Sequence, residues 1–191
     1  IVMQGINQIA VKTYNGLSIP ETARQLWALA KDSGASSIAI DDSGVGGGVT
    51  DLLTEFARAE QSHIVVDGVI VGAKSYESTR FANLRAQIFW SLREAFEKGQ
   101  ISILSDDDLK GQLCAIKYGF NNKGQILIES KEDMRATKGS PDRADALALA
   151  FYGINYSATK APFAKAPAEF TISWYDAMEK KQSRRRGALI G

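Results

Sequence analysis

Two pairs of aspartates are the side chains in this sequence best placed to do chemistry. Asp41 and Asp42 follow the short apolar run at residues 37–40 and precede a glycine-rich run at residues 44–48. The apolar run predicts a strand, and open α/β sheets place their ligands beyond the carboxyl ends of strands. An isolated Asp-Asp pair also commonly initiates a turn. Asp41 is therefore a candidate metal ligand, with turn formation as the alternative.

The glycine-rich run does not have the pattern of a phosphate loop. Val49 stands where the G-x-G-x-x-G pattern requires its third glycine, and the first downstream lysine, Lys74, is too distant for a Walker A motif. A carboxylate pair beside the glycines would also repel a phosphate unless a metal ion lay between them.

The second pair is Asp142 and Asp145, which lie three residues apart and so share one face of a predicted helix. Residues 140–141 are Ser-Pro, which predicts an N-cap followed by proline at the first helical position. The helix dipole stabilises carboxylates there, and ordinary capping is the alternative interpretation. Asp145 lies close to the apolar face of the helix and needs a partner, either a metal ion or a basic side chain such as Arg143 or Lys138.

Considered together, the two pairs suggest one function. Two-metal nucleases hold their ions with carboxylates from different elements, so that one ion activates water and the other stabilises the leaving oxygen. Asp41 at a strand end, with Asp142 and Asp145 at a helix start, supplies such a set. The sequence therefore predicts these three aspartates as metal ligands and catalytic residues.

The composition excludes several other kinds of site. The chain of 191 residues has one cysteine and one histidine, Cys114 and His63, so it has no internal disulfide and no zinc site built from soft ligands. Any metal ion must therefore be held by oxygen ligands, which indicates Mg²⁺ or Mn²⁺. A two-metal nuclease would bind two such ions. No apolar run approaches the roughly 20 residues that cross a bilayer, so we expect no membrane association.

The elements that position these carboxylates are those of an α/β domain. Periodicity and turn residues predict a mixed sheet flanked by helices over residues 1–155, followed by a linker and a basic C-terminal tail at residues 156–191. The predicted strands are residues 1–4, 8–14, 37–40, 64–71, 115–120 and 125–130. The first predicted helix begins at Pro20 and ends at Gly34. The other predicted helices span residues 49–59, 81–98, 109–114 and 140–152.

Several stretches of the chain, in the same order, resemble the C-terminal nuclease domain of bacteriophage large terminases. The matching stretches are IAIDDSGVGGGV at residues 38–49, RFANLR at 80–85, GQI at 99–101, ESKEDM at 129–134 and SPDRADA at 140–146. The resemblance covers about residues 1–152. It implies an RNase H-like fold of the resolvase and integrase superfamily. It also implies an endonuclease that cuts concatemeric viral DNA during genome packaging, with Asp41 as the second catalytic carboxylate and Asp142 or Asp145 as the third.

One departure from the family pattern concerns the first catalytic aspartate. In the family that residue lies on the first, central strand, whereas no acidic residue precedes Glu21 here. We therefore expect that strand and an ATPase domain to lie upstream in the same polypeptide, and we expect the chain as written to cut weakly.

The resemblance also implies partners and a location. The expected partners are double-stranded DNA, the portal protein and the small terminase subunit, in the cytoplasm of the infected bacterial host or of a host that carries a prophage. Glu129 and Asp133 are expected near the catalytic carboxylates. Phosphate contacts are expected from two basic groups, the first around residues 131–138 and the second in the tail. They are Lys131, Arg135 and Lys138, then Arg184, Arg185 and Arg186.

Two other functions compete with this prediction. A Holliday-junction resolvase or transposase-like nuclease uses the same fold and would prefer branched DNA. A non-catalytic fragment would instead dock to the portal through its basic tail and bind no metal.

Overall fold

The computed structural model describes residues 1–44, 46–130, 133–134 and 139–158. The chain opens with an antiparallel hairpin of β1 (Val2–Gln4) and β2 (Asn7–Ala10), whose turn contains Gly5 in a left-handed conformation. These bounds confirm the predicted hairpin, although the second strand ends before Tyr14.

A helix–strand–helix–strand segment follows and carries the first aspartate pair. It consists of α1 (Ile19–Asp32), β3 (Ser37–Asp41), α2 (Gly46–Ala59) and β4 (Val65–Val69). The two strands pair in parallel with Asp41 opposite Val69, as the helical crossover between them requires. Ser18 and Glu21 form a capping box at the start of α1, so that the first backbone N–H groups are satisfied.

The central helix of the fold is α3 (Leu84–Glu97), which begins at the N-cap Asn83. The sequence predicts a helix with one apolar stripe, but most of its side chains are buried. Its polar side chains tolerate this burial because they have internal partners. Gln87 accepts hydrogen bonds from the hydroxyl of Ser75 and the backbone of Tyr76, and Arg93 pairs with Glu97 at 2.6 Å.

The remaining elements are α4 (Asp107–Ala115), the hairpin strands β5 (Tyr118–Phe120) and β6 (Ile126–Ile128), and α5 (Asp142–Ala158). Helix α5 continues six residues beyond the predicted end at residue 152. The expected Ser140 cap is wrong, because its hydroxyl hydrogen-bonds the Asp142 carboxylate. The first backbone N–H groups of α5 donate instead to the Gln112 side chain from α4, at 2.9 and 3.0 Å.

The described strands form three separate pairs, with parallel pairing in β3–β4 and antiparallel pairing in the two hairpins. The α/β class with mixed strand directions is confirmed. The single mixed sheet is not formed by the described residues, because only isolated bridges, such as Phe81 with Ile126, connect the pairs to neighbouring segments.

Hydrophobic side chains pack on both sides of β3. Ile38 and Ile40 pack on a smaller core built from α1 and α2, whereas Ala39 packs on the larger core of α3, α4 and α5. The strand therefore separates two hydrophobic cores. Within the part of the chain that the structure covers, no helix has the length and apolar character needed to span a membrane.

Candidate metal centre

Asp41 is directed towards α5 by the alternation of side chains along β3. Successive residues of a strand point to opposite faces, so Asp41 shares the face of Ala39 rather than that of Ile38 and Ile40. The backbone N–H of Ser43 donates to Asp41 Oδ1 at 3.1 Å. This contact is the turn hydrogen bond expected of an aspartate at a strand end, and it orients the carboxylate as well.

Asp145 approaches the same place from α5. Asp145, Ala148 and Leu149 have i, i+3 and i+4 spacing and together line one side of a small cavity. The facing wall comes from α3, where Arg85, Ile88 and Phe89 repeat the same spacing. Asp41 and Val71 close the cavity from the strand ends.

The cavity has a volume of about 10 Å³, close to the minimum that holds one water molecule. Asp41 and Asp145 both line it, although 104 positions separate them in the sequence. The structure therefore brings together one carboxylate from each predicted pair.

Asp145 forms an ion pair with Arg85, whose Nη1 lies 2.8 Å from Asp145 Oδ1. Their side chains are only 9% and 14% exposed, so both charges are largely withdrawn from water. The guanidinium carbon also lies 4.7 Å from the centre of the Phe89 ring. The basic partners expected for Asp145 were Arg143 and Lys138, whereas the structure pairs it with Arg85.

A signal for Arg85 was present in the sequence. Arg85 precedes Ile88 and Phe89 at i+3 and i+4 spacing, on a face that had to be buried. An arginine on such a face requires an acidic partner. Arg143 has other partners, namely Asp106 at 2.6 Å and Asp108 at 3.2 Å.

Asp106 is the N-cap of α4 and connects that helix to α5. The backbone N–H of Leu109 and the Arg143 guanidinium stabilise its charged form, so the pKa of Asp106 lies below its ordinary value. The acidic run at residues 106–108 therefore caps α4 and forms ion pairs with basic side chains.

Asp142 lies at the start of α5 with an exposed side chain, and the hydroxyl of Ser140 hydrogen-bonds its Oδ1 at 2.5 Å. It is not among the residues that line the cavity between Asp41 and Asp145. Its predicted role as a metal ligand stays a prediction.

Asp42 follows the last residue of β3, and its carboxylate lies beside Gly68. A Cβ added at Gly68 would lie 3.0 Å from Asp42 Cγ. The absence of a side chain at Gly68 therefore leaves the space that Asp42 fills.

An open groove of about 660 Å³ adjoins the small cavity. Asp41 and Arg85 line both spaces, so the groove leads directly to the candidate centre. Lys117, on the far wall, is exposed beside the β5–β6 hairpin. Glu129 and Asp133, which the family resemblance places near the centre, line the groove too.

The predicted phosphate-contacting residues Lys131, Arg135, Lys138, Arg184, Arg185 and Arg186 lie outside the described residues. Their expected contacts with DNA stay predictions.

The two acidic residues of the cavity are of the type that binds a hard divalent cation. Asp41 and Asp145 line a space about the size of one water molecule, and Mg²⁺ and Mn²⁺ prefer oxygen ligands. Among the described residues, no three acidic, histidine or cysteine side chains are grouped closely enough to hold an ion without further ligands. A bound ion would need water or substrate oxygens to complete its coordination.

The comparisons with known proteins point to one kind of structure. No protein-family model and no curated protein matches the sequence. The nuclease domain of the large terminase subunit gp2 of bacterial virus Sf6 matches with a TM-score of 0.68 and 23% identity, over 77% of this chain and 78% of that one. A K428A mutant of that domain, solved with manganese, matches with a TM-score of 0.67 and 23% identity over 77% and 79% of the two chains.

A second phage provides a further match. The large terminase nuclease from thermophilic phage G20c, solved with bound magnesium, has a TM-score of 0.50 and 24% identity, over 72% of this chain and 63% of that one. Identities of this size establish a common fold. The protein therefore has the fold of the nuclease domains of phage large terminases.

Proposed function

We propose that this protein is a metal-dependent DNA endonuclease, the nuclease part of a large terminase, which cuts concatemeric viral DNA during packaging. The observation that carries the proposal is the convergence of Asp41 and Asp145 on one cavity, in a fold shared with such nucleases. We further propose that the three strand pairs belong to an RNase H-like sheet.

Asp41 and Asp145 would hold the divalent cation, and Asp142, at the start of the same helix as Asp145, is the candidate for a further ligand. Related domains have been solved with manganese and with magnesium, which supports a divalent cation here. Bound in pairs, such ions activate a water nucleophile and stabilise the leaving oxygen of a phosphodiester. The use of two ions is part of our proposal.

The other residues around the centre would orient the carboxylates and the DNA. The Ser43 N–H restrains Asp41, and the Arg85 guanidinium restrains Asp145. Lys117 on the groove wall is placed to contact a phosphate, which would position the DNA without reading its sequence. We propose that Lys131, Arg135 and Lys138, which lie outside the described residues, add phosphate contacts.

The cleavage of supercoiled plasmid in Mn²⁺ tests the proposal with the variants Asp41→Asn and Asp145→Asn. Asparagine keeps the shape and a hydrogen-bonding oxygen but removes the charge that binds the ion. We expect each variant to lose at least about 100-fold in rate, within the range that single catalytic groups contribute. Full activity in either variant would refute the assignment of that residue.

Asp107→Asn is the matched control, because the Asp107 side chain is 96% exposed and does not line the cavity. It should cut like the wild type. Asp142→Asn in the same assay decides whether Asp142 is a ligand. A branched junction as a second substrate distinguishes a packaging nuclease from a resolvase, since a resolvase would prefer the junction.

The proposed function also implies binding partners for this protein. We propose that the basic tail docks to the portal protein and that the small terminase subunit is another partner in the host cytoplasm. Co-purification with portal protein, with and without residues 158–191, tests the docking proposal.

A further inference from the structure

We infer that Arg85 is an internal counter-ion that stands in for the divalent cation when the centre is empty and thereby sets the affinity for that cation. The inference rests on the proposed function, because it assumes that Asp41 and Asp145 bind metal. It assigns Arg85 a positioning role towards the metal ion, beyond its ion pair with Asp145.

The geometry around Arg85 supports this role. Its Nη1 contacts Asp145 Oδ1 at 2.8 Å, and Arg85 lines the same water-sized cavity as Asp41 and Asp145. Both partners of the ion pair are largely buried, so solvent screens the charges only weakly. Without a metal ion, two carboxylates at one cavity would repel each other unless a cation lay close to them.

Because arginine keeps its charge, Arg85 and a divalent cation must compete for the Asp145 carboxylate. A guanidinium stays protonated in proteins, so Arg85 cannot lose its charge when a metal ion arrives. A divalent cation bound between Asp41 and Asp145 would lie a few ångströms from a like charge, which weakens its binding.

The surroundings of Arg85 also provide a way to relieve that repulsion. The Arg85 backbone is fixed, since its N–H donates to the Val71 carbonyl at 2.8 Å, but its side chain borders the open groove as well as the cavity. The guanidinium can therefore turn from Asp145 towards the groove and leave its present position over the Phe89 ring. Metal loading would then coincide with the delivery of a positive charge to the proposed DNA side.

Calorimetric titration of Mn²⁺ into the full chain, without DNA, tests the inference. The variants are Arg85→Met, which keeps the length and removes the charge, and Arg85→Gln, which is neutral but still donates a hydrogen bond to Asp145. We expect both to bind Mn²⁺ at least roughly tenfold more tightly than the wild type, because a like charge has been removed. Arg80→Met is the control, since Arg80 pairs with Glu94 outside the cavity, and it should bind like the wild type.

Thermal unfolding provides a second measurement that does not depend on cleavage. In EDTA, Arg85→Met should unfold at a lower temperature than the wild type, because Asp145 loses its buried partner. Mn²⁺ should then raise the unfolding temperature of this variant more than that of the wild type. If Arg85→Met does not fold, Arg85→Gln carries both measurements.

The possible results separate the two proposals. Tighter binding in the neutral variants supports the counter-ion role. Equal or weaker binding in those variants, with Mn²⁺ binding by the wild type, overturns that role and leaves the nuclease proposal standing. No binding by the wild type, and no effect of Asp145→Asn, overturns the metal centre and the counter-ion role together.

Discussion

The start of α2 packs against the backbone of Asp41 so closely that a single methyl group should disrupt it. A Cβ added at Gly46 would lie 1.7 Å from the Asp41 carbonyl oxygen and 2.9 Å from its carbonyl carbon. Real Cβ atoms essentially never approach closer than 3.0 Å, so the two backbone segments must separate by more than 1 Å. The obstacle is backbone on both sides, and no flexible side chain can move aside.

We therefore expect Gly46→Ala to be destabilising despite the better helix propensity of alanine. Overpacking typically costs about 1–3 kcal/mol, and alanine recovers about 0.5–1 kcal/mol of that in a helix. Because a rigid backbone contact places the cost at the upper end, we expect a net loss of about 2 kcal/mol in the free energy of unfolding. With a urea m-value of about 2 kcal/mol/M, the midpoint should fall by about 1 M.

Urea unfolding followed by circular dichroism measures this change, and Gly48→Ala provides the matched control. A Cβ at Gly48 would meet Ile19 side-chain atoms at 3.4 Å, an ordinary contact, so this variant should be as stable as the wild type or slightly more stable. If Gly46→Ala were as stable as Gly48→Ala, the close approach of α2 to Asp41 would be wrong. Plasmid cleavage by Gly46→Ala should also fall, since the shift displaces Asp41.

Two further changes test the contacts that hold α5 against α4. Gln112→Ala removes the acceptor for the backbone N–H groups of Arg143 and Ala144, so we expect the free energy of unfolding in urea to fall by about 1–2 kcal/mol. Gln100→Ala is the control, because Gln100 is exposed and its removal should have little effect. The Asp106 carboxylate has a lowered pKa, so its contribution to stability is present above its unfolded pKa of about 3.9 and is lost as the pH falls through the lower folded value. Asp106→Asn should therefore reduce the drop in unfolding temperature between pH 5 and pH 2, and an unchanged drop would contradict the Arg143 contact.

The elements that the sequence predicts well are those defined by local rules. The helix predicted to begin at Pro20 and the strand predicted at residues 37–40 depend on residues that are neighbours along the chain, and the structure has both within one residue of these positions. Alternation along β3 was enough to place Asp41 on a defined face.

The features that the sequence did not reveal depend on tertiary contacts. Arg85 is 60 residues from its partner Asp145, and the basic partners that the sequence suggested, Arg143 and Lys138, are nearer along the chain. The cap of α5 was likewise assigned to the nearby Ser140, whereas Gln112 reaches it from another helix. Helix α2 begins at Gly46 rather than Val49, since a run of glycines gives no propensity signal for a helix start.

The position of β3 between two cores has a consequence for the cooperativity of the molecule. Asp41 lies on β3, the strand that both cores share, and lines one cavity with Asp145 and Arg85 of the larger core, whereas α1 and α2 pack on the other face of the strand. Amides of the two cores should exchange with solvent deuterium with different protection, because smaller packed units generally open at a lower free energy. A divalent ion shared by Asp41 and Asp145 would bridge the two cores and should slow exchange in α1 and α2, far from any residue that touches the ion.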